Sequence, residues 1–339
     1  MARQEKRRDM ITQPVLNSGE NQGAALSVRG LNVQYALGHG LFVQACRDVQ
    51  FDTAPGESLG ILGESGAGKS TVAYAVMGLV EPPSRVSGEV IYRGRNVLAM
   101  SQPQLRRYRW NEVAMIFQAA MNSLDPIATV GKNMGELLRD KKVVNGKAAA
   151  RELSGKLLST VELPESVAKM YPFELSGGMK QRVIIAMALA TNPKILILDE
   201  PTTALDTITQ FSVLSTIKSL KNDGKLGGLL LISHDISVQA FMVDRLLIML
   251  KGYVVEDAPV KELIDDPRHP YSQVLTGKLK LEQASQGRAA STGTASFSSD
   301  GCPFVGFCPY AMKKCSNEMP KLIQIGGKRR VACYLYGGD

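Results

Sequence analysis

The chain has 339 residues, 44% of them hydrophobic, which exceeds what one typical domain needs and is ample for a buried core. No apolar run approaches the ~18 residues of a membrane-spanning helix, and the opening MARQEKRRDM has no hydrophobic segment behind its charges, so neither a span nor a signal peptide is expected. A net charge of +8 suits an anionic lipid surface or nucleic acid equally. The basic residues are scattered, however, apart from Arg3–Arg8 and Lys328–Arg330, and aromatics are only 6%, so no interleaved stacking surface for nucleic acid is expected and both clusters read as solvated ends.

Residues 1–25 are polar and are expected to form a mobile tail. Leu26–Phe51 and Gly88–Val97 read as short β-rich segments. Between them, Leu59–Leu62 is an apolar run that predicts a buried strand, and Lys69 opens an apolar stretch, Thr71–Leu79, that predicts a helix. The loop that joins them is Gly63, Glu64, Ser65, Gly66, Ala67, Gly68, Lys69, Ser70 and then Thr71. Glycines at 63, 66 and 68 let backbone N–H groups face phosphate oxygens with no Cβ in the way, and the helix N-terminus adds partial positive charge. In that strand-loop-helix setting Lys69 reaches the β- and γ-phosphates of a nucleotide and the Ser70 hydroxyl ligates Mg²⁺. A Gly-rich turn with a surface lysine is the bland alternative.

From Gln118 to Ser176 the pattern turns helical, with Leu153, Leu157, Leu158 and Val161 at helical spacing before Pro164. The next element, Glu174–Met179, reads ELSGGM: Leu175, Ser176, Gly177, Gly178 and Met179 precede a helix through Gln181–Ala190, whose N-terminus is a second anion site. Four apolar residues, Ile195–Leu198, then deliver Asp199 and Glu200 at the carboxyl end of a buried strand, where open α/β sheets bind ligands. Neighbouring side chains on a strand point to opposite sides, so the two acids take different tasks: Asp199 with the metal, Glu200 orienting and deprotonating an attacking water. Alone, the pair could equally cap the turn at Pro201. Thr207–Asp223 predicts an amphipathic helix with Phe211, Leu214, Ile217 and Leu220 on one face, and Leu229–Ile232 and Leu246–Leu250 predict further core strands. The strand-helix alternation argues for an α/β core with no internal repeat.

In this order, these motifs resemble the ATP-binding cassette (ABC) transporter ATPases from about Leu26 to Asp257. The resemblance implies a P-loop NTPase with an antiparallel β subdomain, a helical subdomain at about 119–180 within an ATPase domain spanning 26–258, and a signature at Leu175–Met179 that contacts ATP on the opposite subunit. It implies ATP and Mg²⁺ as cofactors and hydrolysis as the reaction. Gln118 resembles the loop glutamine that senses Mg²⁺ and water, His234 the switch histidine at the γ-phosphate, Tyr35 the aromatic that stacks on adenine, and Thr203–Asp206 the loop coupling the two sites. Taken singly these are a surface glutamine, a core histidine and a core tyrosine. The implied partners are a second ATPase subunit, identical or homologous, two transmembrane permeases and an extracytoplasmic solute-binding protein, with the chain peripheral on the cytoplasmic face of the membrane. Met179 in place of the commoner glutamine, and AAMNSLDP after Gln118, resemble the branch importing oligopeptides, dipeptides and some nickel or sugar ligands. A soluble cassette ATPase of DNA repair or translation is the alternative; its paired cassettes, long coiled-coil insertion or zinc-finger pairs are missing here. A non-hydrolysing module would lack Lys69, Glu200 or His234.

After an extension at 259–281 containing PRHPYSQVL, a Ser-, Ala-, Gly- and Thr-rich stretch at 282–300 predicts a flexible linker. Cys302, Cys308, Cys315 and Cys333 then fall in the last segment, 301–339, while Cys46 lies in a strand-like segment and reads as core. The tail and the HPY at His269–Tyr271 resemble the C-terminal extension of oligopeptide-type transporter ATPases, which implies a 4Fe–4S cluster in some members. Four thiols also suit zinc, although close Cys-x-x-Cys pairs are missing, or remain free; a disulfide is disfavoured in a reducing cytosol.

Overall fold

The computed structural model describes residues 26–118, 120–203, 205–280 and 301–337; the predicted tail at 1–25 and linker at 282–300 lie outside them. The described chain opens with two long strands, β1 (Leu26–Gly38) and β2 (Leu41–Thr53), then β3 (Ser58–Leu62), helix α1 (Lys69–Val76), β4 (Arg85–Tyr92) and β5 (Arg95–Asn96). Strands β2, β1, β4 and β5 form an antiparallel sheet in that order. On β1, Leu26 and Val28 face inward with the period of two expected of a half-buried strand, and an irregularity before Leu31 resets the register so that Leu31 and Val33 face inward again. Cys46 on β2 joins this core, as expected.

Helix α2 (Gln102–Asn111) leads to β6 (Val113–Ile116), and α3 (Val130–Asp140), α4 (Lys147–Thr160) and α5 (Gly177–Leu189) lie between β6 and β7 (Ile195–Asp199). Side-chain caps fix helix starts here: Thr129 accepts from Lys132 N at α3, and Ser176 accepts from Met179 N at α5. The remaining contiguous elements are α6 (Thr207–Asn222), β8 (Leu229–Ile232), α7 (Ile236–Met242), β9 (Arg245–Leu250), β10 (Tyr253–Pro259), α8 (Val260–Asp265) and α9 (Pro270–Leu275). Asp206 caps α6, whose buried face is Val213, Leu214, Ile217 and Leu220. No helix among the described residues is long and apolar enough to cross a membrane.

The larger sheet runs β11-β12-β10-β9-β3-β8-β7-β6, where β11 is Ile323–Gly326 and β12 is Arg329–Val331. Strands β9, β3, β8, β7 and β6 are parallel. Every residue of β3, β7 and β8 is buried, so these strands read as continuous apolar runs rather than alternating ones, as parallel strands covered on both faces do. Their carboxyl ends share one edge of the sheet, and from that edge emerge Gly63 after β3, Glu200 after β7, His234 after β8 and Gln118 after β6.

The far end of this sheet corrects one expectation. Lys328–Arg330 is not a solvated end: Arg329 is buried, and Arg330 donates twice to Asp257, at 2.6 and 3.0 Å, through the β10–β12 pairing. Asp257 is fully buried, and Arg245 also approaches it at 3.4 Å. A buried carboxylate needs such partners, so the charge that suggested solvent exposure instead attaches the C-terminal segment to the core. Residues on both sides of the junction form one cluster, with Leu246, Ile248 and Val255 against Cys302, Phe304 and Cys315. Asp257→Ala should remove the carboxylate shared by Arg330 and Arg245, which keep Gln50 O and Glu57 among their partners, and cost about 1.5–3 kcal/mol. Denaturant unfolding with limited proteolysis after residue 300 checks this; wild-type stability and protection would contradict the pairing account.

Candidate functional site

A cavity of about 890 Å³ opens at the carboxyl edge of the parallel strands, and residues 63–71 form its floor. This loop is held between backbone walls. Gly68 has φ +96°, and a Cβ there would run into the Ala45 carbonyl oxygen; one on Gly63 would strike that of Met249. These glycines therefore serve a close backbone approach as well as an open face. Gly252 N also donates to Ala67 O at 3.0 Å. The Lys69 ammonium lies within the loop, donating to the carbonyls of Gly63 at 2.8 Å and Glu64 at 2.9 Å. Burial lowers its pKa, while the carboxylates of Glu200, Asp199 and Glu64 act the other way.

Helix α1 presents Ser70 to the end of β7, where its hydroxyl donates to Asp199 Oδ1 at 2.9 Å. Asp199 is fully buried and its Oδ2 has no hydrogen-bond partner. Burial raises its pKa, with the Ser70 hydrogen bond opposing, the Glu200 charge adding, and Lys69 opposing. A buried, under-satisfied carboxylate oxygen beside a hydroxyl is an oxygen donor set that a hard divalent cation completes, so Mg²⁺ fits these residues. One residue on, Glu200 has φ +49°, a left-handed conformation uncommon outside glycine. Its N–H still donates to Ile232 O at 3.0 Å, so the peptide stays tied to β8 while the chain leaves the strand. The Glu200 carboxylate accepts from the Thr203 hydroxyl at 3.0 Å and lies 2.8 Å from His234 Nδ1.

Of the residues singled out from sequence, Tyr35, 63–71, Gln118, Glu200 and His234 line this one cavity, and Asp199 adjoins it through Ser70. Tyr35 sits on β1 opposite Val43 of β2. The cavity lining does not include Leu175–Met179; that motif opens α5, where Gly178 packs so tightly on Thr209 of α6 that a Cβ would collide. Ala204 of the Thr203–Asp206 loop lies outside the described residues. Gln44, Ala45 and Leu275 also line the cavity and were not foreseen. Leu275 carried a faint signal, as the end of the PRHPYSQVL run.

Cys302, Cys308, Cys315 and Cys333 do converge, with His269 and Phe304, on a second cavity of about 20 Å³. That volume holds about one water. Among the described residues no group of three or more His, Cys, Asp or Glu side chains stands in a metal-holding arrangement. Burial pushes the thiols of Cys302 and Cys308 up to about 12 and about 11. Four thiols are donors of the right chemistry for an iron–sulfur centre, but the cavity as folded is too small to hold one.

A phosphate-sized backbone cradle, an acid-hydroxyl pair suited to a cation, and a second acid paired with a histidine define a nucleotide-hydrolysing site. Comparison with known proteins makes this specific. Residues 46–203 match the ABC transporter family, and residues 255–315 match the oligopeptide/dipeptide transporter C-terminal region. The chain is 38% identical over 317 residues to the oligopeptide transport ATP-binding protein OppD of Escherichia coli, covering 92% of this chain and 93% of that one. It is 37% identical over 318 residues to the dipeptide transport ATP-binding protein DppD of Bacillus subtilis, covering 91% and 94%. Among solved structures it resembles a dimeric ATP-binding cassette in a post-hydrolysis state bound to ADP and Pi, at 29% identity and TM-score 0.60, over 69% of this chain and 98% of that one. The chain belongs to the ABC transporter ATP-binding proteins, in their oligopeptide/dipeptide branch.

Lys69→Ala should weaken binding of a fluorescent ATP analogue by about 10-fold or more, since hydrogen bonds to charged groups carry ~1.5–3 kcal/mol, with the melting temperature little changed. Unchanged affinity would remove Lys69 from the cradle.

Proposed function

We propose that this chain binds and hydrolyses ATP to power uptake of oligopeptides, dipeptides or a related solute through separate permease subunits. The observation that carries the reading is the gathering of Lys69, Ser70, Asp199, Glu200 and His234 at the shared edge of adjacent strands. In this reading the backbone of residues 63–71 holds the phosphates, Lys69 neutralises them, and Tyr35 stacks on the base. Ser70, Asp199 and Gln118 hold Mg²⁺, which supplies charge neutralisation at the phosphates when bound. Glu200 orients the attacking water and takes its proton, and His234, 2.8 Å from the Glu200 carboxylate, is proposed to contact the γ-phosphate.

The position of Leu175–Met179 outside the cavity supports a composite site. Ser176, Gly177 and Gly178 stand at the N-terminus of a 13-residue helix, and such a terminus favours an anion supplied by a second subunit. We therefore propose a dimer with an identical or homologous ATPase, docked beneath two permeases on the cytoplasmic face of the membrane and fed by an extracytoplasmic solute-binding protein. The ATPase domain is proposed to span 26–258, with the helical subdomain at about 119–180. Arg329 and Arg330 of the basic tail cluster are engaged within the fold, so that cluster is not a free basic surface.

Glu200→Gln should abolish turnover while ATP drives the chain into a stable dimer, seen by sedimentation. Normal hydrolysis would contradict the base assignment, and a monomer at saturating ATP both alone and with the homologous ATPase subunit present would contradict the composite site. For the four thiols, the convergence of Cys302, Cys308, Cys315 and Cys333 is the only support for an iron–sulfur centre, and loading one would require the segment to open. Anaerobic purification should then yield about four iron and four sulfide per chain. Zinc, or no metal, would leave the segment a structural appendage.

A further inference from the structure

We propose that Tyr271 is a positioning residue for the phosphate loop, its hydroxyl fixing the backbone at Glu64 so that the loop is pre-shaped for nucleotide. This rests on the assignment of residues 63–71 as the phosphate cradle. Tyr271 is almost wholly buried, and its hydroxyl accepts from Glu64 N at 3.3 Å across 207 positions of sequence. Glu64 is the second residue of the loop, and its carbonyl already accepts from Lys69 Nζ at 2.9 Å and from Ala67 N at 3.2 Å. The N–H of Glu64 is thus anchored from outside the loop, while its carbonyl is anchored from within it.

The anchor itself is rigid. The buried Glu256 carboxylate on β10 accepts from Arg268 N at 2.9 Å and His269 N at 2.8 Å, which fixes the start of α9. His269 Nδ1 accepts from Tyr271 N at 3.0 Å and caps the helix. The imidazole can accept because it is neutral: full burial pushes its pKa down to about 3. The Tyr271 ring packs 5.6 Å from that of Phe304, in one cluster with Leu62, the residue just before Gly63. Tyr271 also stays protonated, its pKa pushed up to about 12, chiefly by burial. Further along α9, Leu275 reaches the nucleotide cavity itself. A short helix outside the cassette motifs is therefore bonded at its N-terminal end both to the phosphate loop and to the strand that carries the C-terminal segment.

Without the hydroxyl, the Glu64 N–H loses its partner and the loop must be ordered by the nucleotide itself, which lowers affinity. The test compares full-length wild type, Tyr271→Phe and Lys69→Ala for fluorescent ATP binding, ATPase KM and kcat, nucleotide-free melting temperature, and amide exchange over residues 62–68. Tyr271→Phe should raise the nucleotide Kd and KM by about 3- to 10-fold, the factor expected of one hydrogen bond. It should also speed amide exchange in the loop, with kcat changed less than KM and the melting temperature within about 1–2 °C. Unchanged Kd and exchange would overturn the proposal. So would a Kd change matched by a fall in melting temperature with no local change in exchange, which is the signature of a merely structural role. If wild type fails to bind nucleotide, or Lys69→Ala binds as well as wild type, the cradle assignment fails and this proposal fails with it.

Discussion

The hydrogen bond from Ser70 to Asp199 is the constraint on which the site depends. It joins the first turn of α1 to the end of β7 at 2.9 Å, across 129 positions of sequence. It forms here because β3 and β7 lie in the same sheet, parallel, with β8 between them and their carboxyl ends at the same edge. The buried Leu, Ile and Val runs of β3, β8 and β7 meet that condition by packing on both faces. The core of the protein therefore exists in a form that places a hydroxyl, a desolvated carboxylate and a phosphate-sized loop within reach of one another. Asp199 is buried with one carboxylate oxygen unpartnered, a cost that a bound cation would offset.

The second constraint lies at the opposite end of the same sheet. Strand β12 is short and polar, and it stays in place through the forked contact of Arg330 with Asp257 and through a shared cluster with Cys302, Phe304 and Cys315. Strand β10 then serves two purposes. Its Asp257 secures the C-terminal segment, and the neighbouring Glu256 fixes the start of α9. Adjacent residues on one strand thereby connect the cysteine-lined cavity to the phosphate loop through side chains that face opposite ways.

Much of this was legible in the sequence for identifiable reasons. The strands Leu59–Leu62, Ile195–Leu198 and Leu229–Ile232 are continuous apolar runs, and the glycines of the loop sit where backbone must approach backbone. The sheet edge then collects the motifs that follow those strands, so Glu200, His234 and Gln118 share a cavity without needing neighbouring positions in the chain. The left-handed turn at Glu200 was not legible, because nothing about a glutamate signals φ +49°. Arg330 misled because a run of basic residues ordinarily means solvent, and only the buried Asp257 reverses that. Tyr271 was visible as part of a motif, but its contact with Glu64 is a tertiary event that no local pattern encodes.

The ends of neighbouring parallel strands are proposed to assemble one cation-assisted nucleotide site. Electron paramagnetic resonance with Mn²⁺ in place of Mg²⁺ and a non-hydrolysable ATP analogue tests it most directly. The account predicts about one Mn²⁺ per chain, bound only with the nucleotide, and loss of that signal in Asp199→Ala with nucleotide still bound. A nucleotide-dependent Mn²⁺ signal of wild-type strength in Asp199→Ala would contradict it.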